Sequence, residues 1–212
     1  MVDDSSRIPA DVAKQKKTKD VVERPMRADT KRNLDALLVA AKEVFATSGV
    51  DAPVREIAKK AGFGVGTLYR HFPQRSDLIA AVFRHEVDAC ADTAPLLAAA
   101  HPPFEALSLW MQRYAGFIAT KRGLASALHS GDPAFASLPG HFDKRLRPAL
   151  QTLLDGAIAA KEARADVEAD DLLNAIAKLC MATNDKNPEQ GERMVALLTD
   201  GLRCDKAVVE KR

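Results

Sequence analysis

The sequence predicts an all-α fold: an N-terminal three-helix domain built on a helix-turn-helix, followed by a larger C-terminal helical domain. Three observations carry that expectation. Alanine and leucine dominate the 212 residues and aromatics make up only 5%, a composition that suits packed helices better than sheets. Apolar residues recur at three- and four-residue spacing through most of the chain, and no stretch alternates as a strand would. Glycine and proline punctuate the front third at short intervals, cutting it into brief helices.

Residues 1–30 are polar and aperiodic, with the run Lys14-Gln15-Lys16-Lys17-Thr18-Lys19. They are expected as a disordered or frayed tail, the lysine run being either solvated chain or an arm toward a polyanion. Leu34, Leu37, Leu38, Ala41, Val44 and Phe45 then mark one face of a first helix, stopped at Ser48-Gly49, where glycine takes the left-handed end conformation. Pro53 is expected in the first turn of the next helix, where its missing N–H costs nothing. That helix, Val54 to Ala61, ends at Gly62. A short helix from Val65 to Phe72 follows and Pro73 closes it. Another starts near Gln74–Asp77 with Leu78, Ile79, Val82, Phe83 and Val87 inward.

Beyond Asp92 the segments are longer and alanine-rich. Thr93–Pro103 is expected as a loop or short helix. Phe104, Leu107, Met111, Tyr114 and Ile118 form a stripe that Trp110 and Phe117 widen, ending at Arg122-Gly123. Breaks at Gly131-Asp132-Pro133 and Pro139-Gly140 precede a long segment from His141 to Ala165, with Pro148 as a kink point. Asp170 is expected to cap the next helix, and Asn187-Pro188 to start the last. The organisation is a tail (1–30), a helix-turn-helix domain (31–91) and a helical domain (92–205).

Composition narrows the function classes. No stretch approaches the roughly 18–20 consecutive apolar residues that cross a bilayer, and the N-terminus has no apolar segment of signal-peptide length. No membrane partner is expected. Net charge is +2, but unevenly spread. From Arg27 to Arg75 there are nine basic and five acidic residues; from Ser76 to Arg212 there are sixteen and nineteen. A basic front third is the asymmetry expected where one part meets a polyanion, although solvated helix faces produce it too. Cys90, Cys180 and Cys204 are odd in number and form no zinc pattern, so buried free thiols in a reducing cytoplasm are expected. His85-Glu86 has no second histidine four residues on, and no nucleophile elbow or phosphate loop occurs. No catalytic residues, metal site or cofactor are predicted.

Two short helices joined by Gly62-Phe63-Gly64 form a unit whose second helix is suited to a DNA major groove. Its first turn, Gly64, Val65, Gly66 and Thr67, is small enough for close backbone approach. Tyr69 and His71 offer polar tips at phosphate distance, and Arg55, Lys59, Lys60, Arg70 and Arg75 supply positive field. Ile57, Ala58, Leu68 and Phe72 are assigned to packing. Val54-Arg55-Glu56-Ile57-Ala58, Ala61-Gly62 and Gly66-Thr67-Leu68-Tyr69-Arg70-His71-Phe72-Pro73 together closely resemble the DNA-binding domain of the tetracycline-repressor (TetR) family, over roughly Lys31–Val87.

That resemblance implies a homodimeric bacterial transcription factor, usually a repressor, acting in the cytoplasm at the nucleoid. Its partners would be a pseudo-palindromic double-stranded operator and a small-molecule effector, as yet unknown. By position, Gly64 to Thr67 would face base edges, Tyr69 and His71 would hold phosphates, and Arg75 would stand near phosphate. Pro53 departs from the hydroxyl residue often found there, leaving a backbone N–H for that contact. The C-terminal half loosely resembles SbtR-like domains. Its candidate pocket residues are Trp110, Met111, Tyr114, Phe117, His129, Phe142 and Met181, each of which ordinary core packing also accounts for. The last two helices have apolar faces suited to a two-fold four-helix interface. The alternatives are a ligand-responsive activator and a helical adaptor that binds no DNA.

Overall fold

The computed structural model describes residues 32–121, 130–181 and 189–204, and among them the regular structure is helical. Helix α1 (32–48) buries Leu37, Leu38, Ala41, Val44 and Phe45, the face its spacing predicts. It ends at Gly49, whose φ of +77° is accessible to glycine without strain. Helix α2 (Val54–Ala61) and helix α3 (Val65–His71) pack on each other. Pro53 stands just before α2, not inside its first turn, because its carbonyl already accepts the Glu56 N–H at 2.9 Å. Helix α3 stops one residue earlier than the sequence suggests: Phe72 caps it and turns its ring into the core.

Helix α4 (Arg75–Ala100) opens with a reciprocal cap between Gln74 and Asp77. It corrects the expectation of a break after Asp92: the helix runs through Thr93 and Pro95 as one element, carrying Cys90, Ala91 and Ala94 into the core. Pro95 lacks the N–H an interior helical residue donates. The carbonyl deprived of that donor is Ala91's; the preceding carbonyl, of Cys90, takes the Thr93 hydroxyl at 2.6 Å and the Trp110 indole N–H at 3.0 Å. The packing of this stretch on helix α5 (Pro103–Lys121) outweighs the proline.

Helix α5 is the centre of the larger bundle. Phe104, Leu107, Trp110, Met111, Tyr114 and Ile118 are all buried on it, as the wide stripe requires. A short 3₁₀ turn (Pro133–Phe135), capped by Asp132, leads into helix α6 (Leu138–Ala159), which starts earlier and ends sooner than the expected 141–165. Pro148 lies inside α6. Helix α7 (Ala169–Met181) begins one residue before Asp170, so that residue is not its cap. Its carboxylate instead pairs with Arg147 of α6 at 2.6 Å. Helix α8 (Glu189–Asp200) closes the bundle, and α4, α6, α7 and α8 all pack on α5. A single antiparallel bridge, Ala163 with Arg203, ties the end of the described chain to the α6–α7 turn. The polar tail (1–30), the Arg122-Gly123 stop and the Asn187-Pro188 start fall outside the described residues. No described helix is long and apolar enough to cross a membrane.

Candidate nucleic-acid interface

The geometry of α3 follows from four buried side chains. Ile57 and Ala58 of α2, Leu68 of α3 and Phe72 beyond it are almost wholly excluded from solvent, which fixes one face of α3 against the domain. Gly62 makes the turn in the left-handed conformation, φ +76° and ψ +22°, with its N–H returned to the end of α2. The residues expected at the groove differ in how open they are, and Gly66, Tyr69 and Arg70 are spaced away from the buried Leu68 side. Gly64, Val65, Gly66, Tyr69 and Arg70 are exposed and Thr67 and His71 are half-buried. Val65 is 39% and Tyr69 51% exposed, too open for core residues of their size. Beyond the adjoining backbone, a Cβ added at Gly64 or Gly66 would meet no atom within 4 Å. Nothing inside the molecule requires glycine there.

The basic residues divide. Arg55 and Lys59 are exposed on α2. Lys60 is paired with Glu43 of α1 at 2.8 Å. Arg75, expected near phosphate, donates from Nε to the Val50 carbonyl at 2.6 Å and from Nη2 to the Ala52 carbonyl at 2.5 Å, with a further Nη2 contact to Val50. Those atoms are committed to the α1–α2 turn, because its carbonyls have no helical partner of their own.

The candidate pocket residues separate in the same way. Trp110 and Tyr114 stack at 5.7 Å between centroids, Tyr114 lies 6.1 Å from both Phe117 and Phe142, and Phe83 of α4 adds a fifth ring 5.7 Å from Phe117. Met111 is buried beside them on α5, its sulfur 3.8 Å from the Thr199 hydroxyl of α8, which donates to the Val195 carbonyl at 2.8 Å. Met181 does not join: it is 60% exposed, because α7 turns Leu172, Leu173, Ile176 and Cys180 inward. His129 lies outside the described residues.

Cys90 and Cys180 are free and buried as expected, but the sequence did not place them beside these rings. Burial pushes the Cys90 thiol up to about 12 and holds the Tyr114 hydroxyl above its ordinary range, with the neighbouring Cys90 and Cys180 adding to the latter. Also missed was a polar seam between α4 and α6. Arg84 donates to Ser137 at 2.7 Å, His141 meets Asp88 at 3.0 Å, and Arg145 bridges Asp88 at 2.6 Å and Asp92 at 2.5 Å. Positions 84, 88 and 92 face 137, 141 and 145, four residues apart on each helix. That shared spacing is the only signal the sequence holds for it.

With this geometry in hand, comparison with known proteins decides the lineage. The profile described as "Bacterial regulatory proteins, tetR family" matches residues 37–82, and "Transcriptional regulator SbtR-like, C-terminal domain" matches residues 102–204. The chain belongs to the tetR family. Among solved members, the TetR transcriptional regulator SCO0520 from Streptomyces coelicolor is 38% identical with a TM-score of 0.70, over 80% of this chain and 98% of that one. A TetR transcription regulatory protein from Mycobacterium vanbaalenii is 36% identical with a TM-score of 0.68, over 85% and 100%. HTH-type transcriptional regulators of Staphylococcus aureus are 41% identical over 64 residues, 30% of this chain and 35% of theirs. The chain therefore matches about a third of the length of those curated relatives, while it spans the two tetR-family structures almost completely.

Proposed function

We propose that this tetR-family protein is a homodimeric, sequence-specific DNA-binding regulator, a repressor in the bacterial cytoplasm released from its operator by a small molecule. The observation that carries the reading is the exposed face of α3: two glycines with no internal cause, a half-exposed tyrosine and an arginine, on a helix locked from behind by Leu68 and Phe72. A helix so presented fits the major groove, its first turn against base edges and Tyr69 and His71 against the flanking phosphates. Residues 31–91 then read DNA, and 92–205 hold the effector and the second copy, with α4 belonging to both.

Exposed apolar residues support the reading of a second copy. Met181 of α7 and Met194 and Leu197 of α8 are each exposed, as apolar residues are where a two-fold helical interface covers them. The effector reading rests on the rings around Tyr114. An apolar molecule entering there displaces aromatic contacts between α4, α5 and α6, and α4 leads directly back to α3. A hundredfold loss of operator affinity requires about 2.7 kcal/mol of coupling.

The test separates reading from holding. Duplexes selected from a random pool by wild type, Gly66→Ala, Thr67→Ala, Tyr69→Phe and His71→Ala are compared. Gly66→Ala and Thr67→Ala alter the selected sequence, with changes of about 1–3 kcal/mol among operator variants. Tyr69→Phe and His71→Ala weaken all sequences alike and keep the consensus. Gly66→Ala also leaves thermal stability equal or higher, by about 0.5 kcal/mol, because a helical glycine is replaced in open space. Failure of wild type to select any sequence overturns the proposal.

A further inference from the structure

Resting on the DNA-binding reading above, one arginine has a role that its position in the sequence hides. Arg75 is the first residue of α4, three residues beyond Phe72, where α3 is capped. Its side chain reaches back 25 and 23 residues to the carbonyls of Val50 and Ala52. Those carbonyls lie in the turn between α1 and α2, immediately before Pro53. The residue that follows α3 is thus bonded to the residues that precede α2, and the whole α2–α3 unit is closed into a loop by one guanidinium.

The chemistry of that closure is specific to arginine. Nε and Nη2 form one edge of the planar fork, the edge that elsewhere grips a phosphate or carboxylate two-fold. Here it grips two backbone oxygens two residues apart, those of Val50 and Ala52. Ala52 is buried and Val50 is half-buried against the core, so the far end of the clamp is anchored. The turn between them is already tight: the Ala52 N–H returns to the Gly49 carbonyl at 3.2 Å. A lysine retains the charge but has a single ammonium and no planar fork with which to hold both oxygens.

We infer that Arg75 is a positioning residue for operator recognition: it fixes the pose of α3 against α1 and does not spend its gripping edge on DNA phosphate. Two consequences distinguish it from a phosphate ligand and from a generic stabiliser. A phosphate ligand contributes to counterion release, so its loss flattens the dependence of log K on log salt by about 0.9 per contact. A positioning residue leaves that slope alone and weakens only binding that depends on α3 being correctly aimed.

The experiment uses the full chain as wild type, Arg75→Lys and Arg75→Gln. Affinity is measured for the duplex that wild type selects and for a scrambled duplex, from about 50 to 200 mM salt, with thermal midpoints and amide exchange of residues 54–72 recorded without DNA. Both variants are expected to lose about tenfold or more on the selected duplex and to bind the scrambled one as wild type does. The salt slope stays unchanged, the midpoint stays close to wild type, and amides of 54–72 exchange faster. A flatter slope for Arg75→Gln, restored by Arg75→Lys, overturns the inference in favour of a phosphate contact. Parallel loss on both duplexes with a lowered midpoint overturns it in favour of general stability, as does full selectivity in both variants. If wild type itself prefers no duplex, the DNA-binding reading has failed, which is visible before any variant is compared.

Discussion

Cys90 carries more of the interior than a small residue ordinarily would. Its carbonyl receives the Trp110 indole N–H and the Thr93 hydroxyl, and its thiol lies within electrostatic reach of Tyr114. Burial raises the thiol from 9.0 to about 12 and raises the Tyr114 hydroxyl above 10. Both groups stay protonated in the folded chain where the unfolded chain has begun to ionise them. Stability contributed by a raised group is complete below its unfolded value and is lost as pH climbs toward the folded one. Denaturant unfolding measured from pH 7 to 11 is therefore expected to be flat to about pH 9 and to fall above it. Cys90→Ala, although less stable at pH 7, falls less steeply; an equal alkaline slope in both proteins would refute the assignment. The spacing of α5 made Trp110, Met111, Tyr114 and Phe117 legible in the sequence. Cys90 and Cys180 were not, because they arrive from other helices and local periodicity does not say which neighbour a buried face meets. Met181 was misjudged for the same reason: α7 turns its predecessor, Cys180, inward.

At the scale of elements, the stops were more legible than the continuations. Gly49, Gly62 and Phe72-Pro73 end α1, α2 and α3 through backbone conformations that the residue types themselves favour. Helix α4 defeated the same logic, since Pro95 reads locally as a stop and tertiary packing keeps the helix going to Ala100. That continuity matters, because α4 starts at the end of α3 and reaches Trp110 through Cys90. Three rings of the cluster, Trp110, Tyr114 and Phe117, belong to α5, and Trp110 is the single tryptophan of the chain. Compounds that release the protein from operator DNA are expected to shift Trp110 emission, and Tyr114→Ala to blunt both responses together. Release with unchanged emission and an unaltered Tyr114→Ala response would remove the effector site from this cluster. The α4–α6 seam lies on the same route. Its ion pairs are substantially exposed, so each adds little to stability, and their alignment along two helices bears on position more than on strength.

For the whole molecule, the order of helices, the basic front third and the family motif were all readable from the sequence. The clamp at Arg75 was not: it joins residues 25 apart, and the resemblance pointed that side chain toward phosphate. The proposal of a two-fold assembly rests on the exposed Met181, Met194 and Leu197 and on the demand that two α3 helices reach one face of a duplex about one helical turn, 34–36 Å, apart. The most direct measurement is the mass and footprint of the protein on its selected duplex, by light scattering and hydroxyl-radical cleavage, for wild type and Leu197→Asp. Wild type is expected to bind as two protomers on an inverted repeat with protections one turn apart. Leu197→Asp, a substitution at a surface 67% exposed, should remain folded, become monomeric and lose that footprint. A monomer protecting a single half-site as tightly as wild type protects the whole would contradict the account.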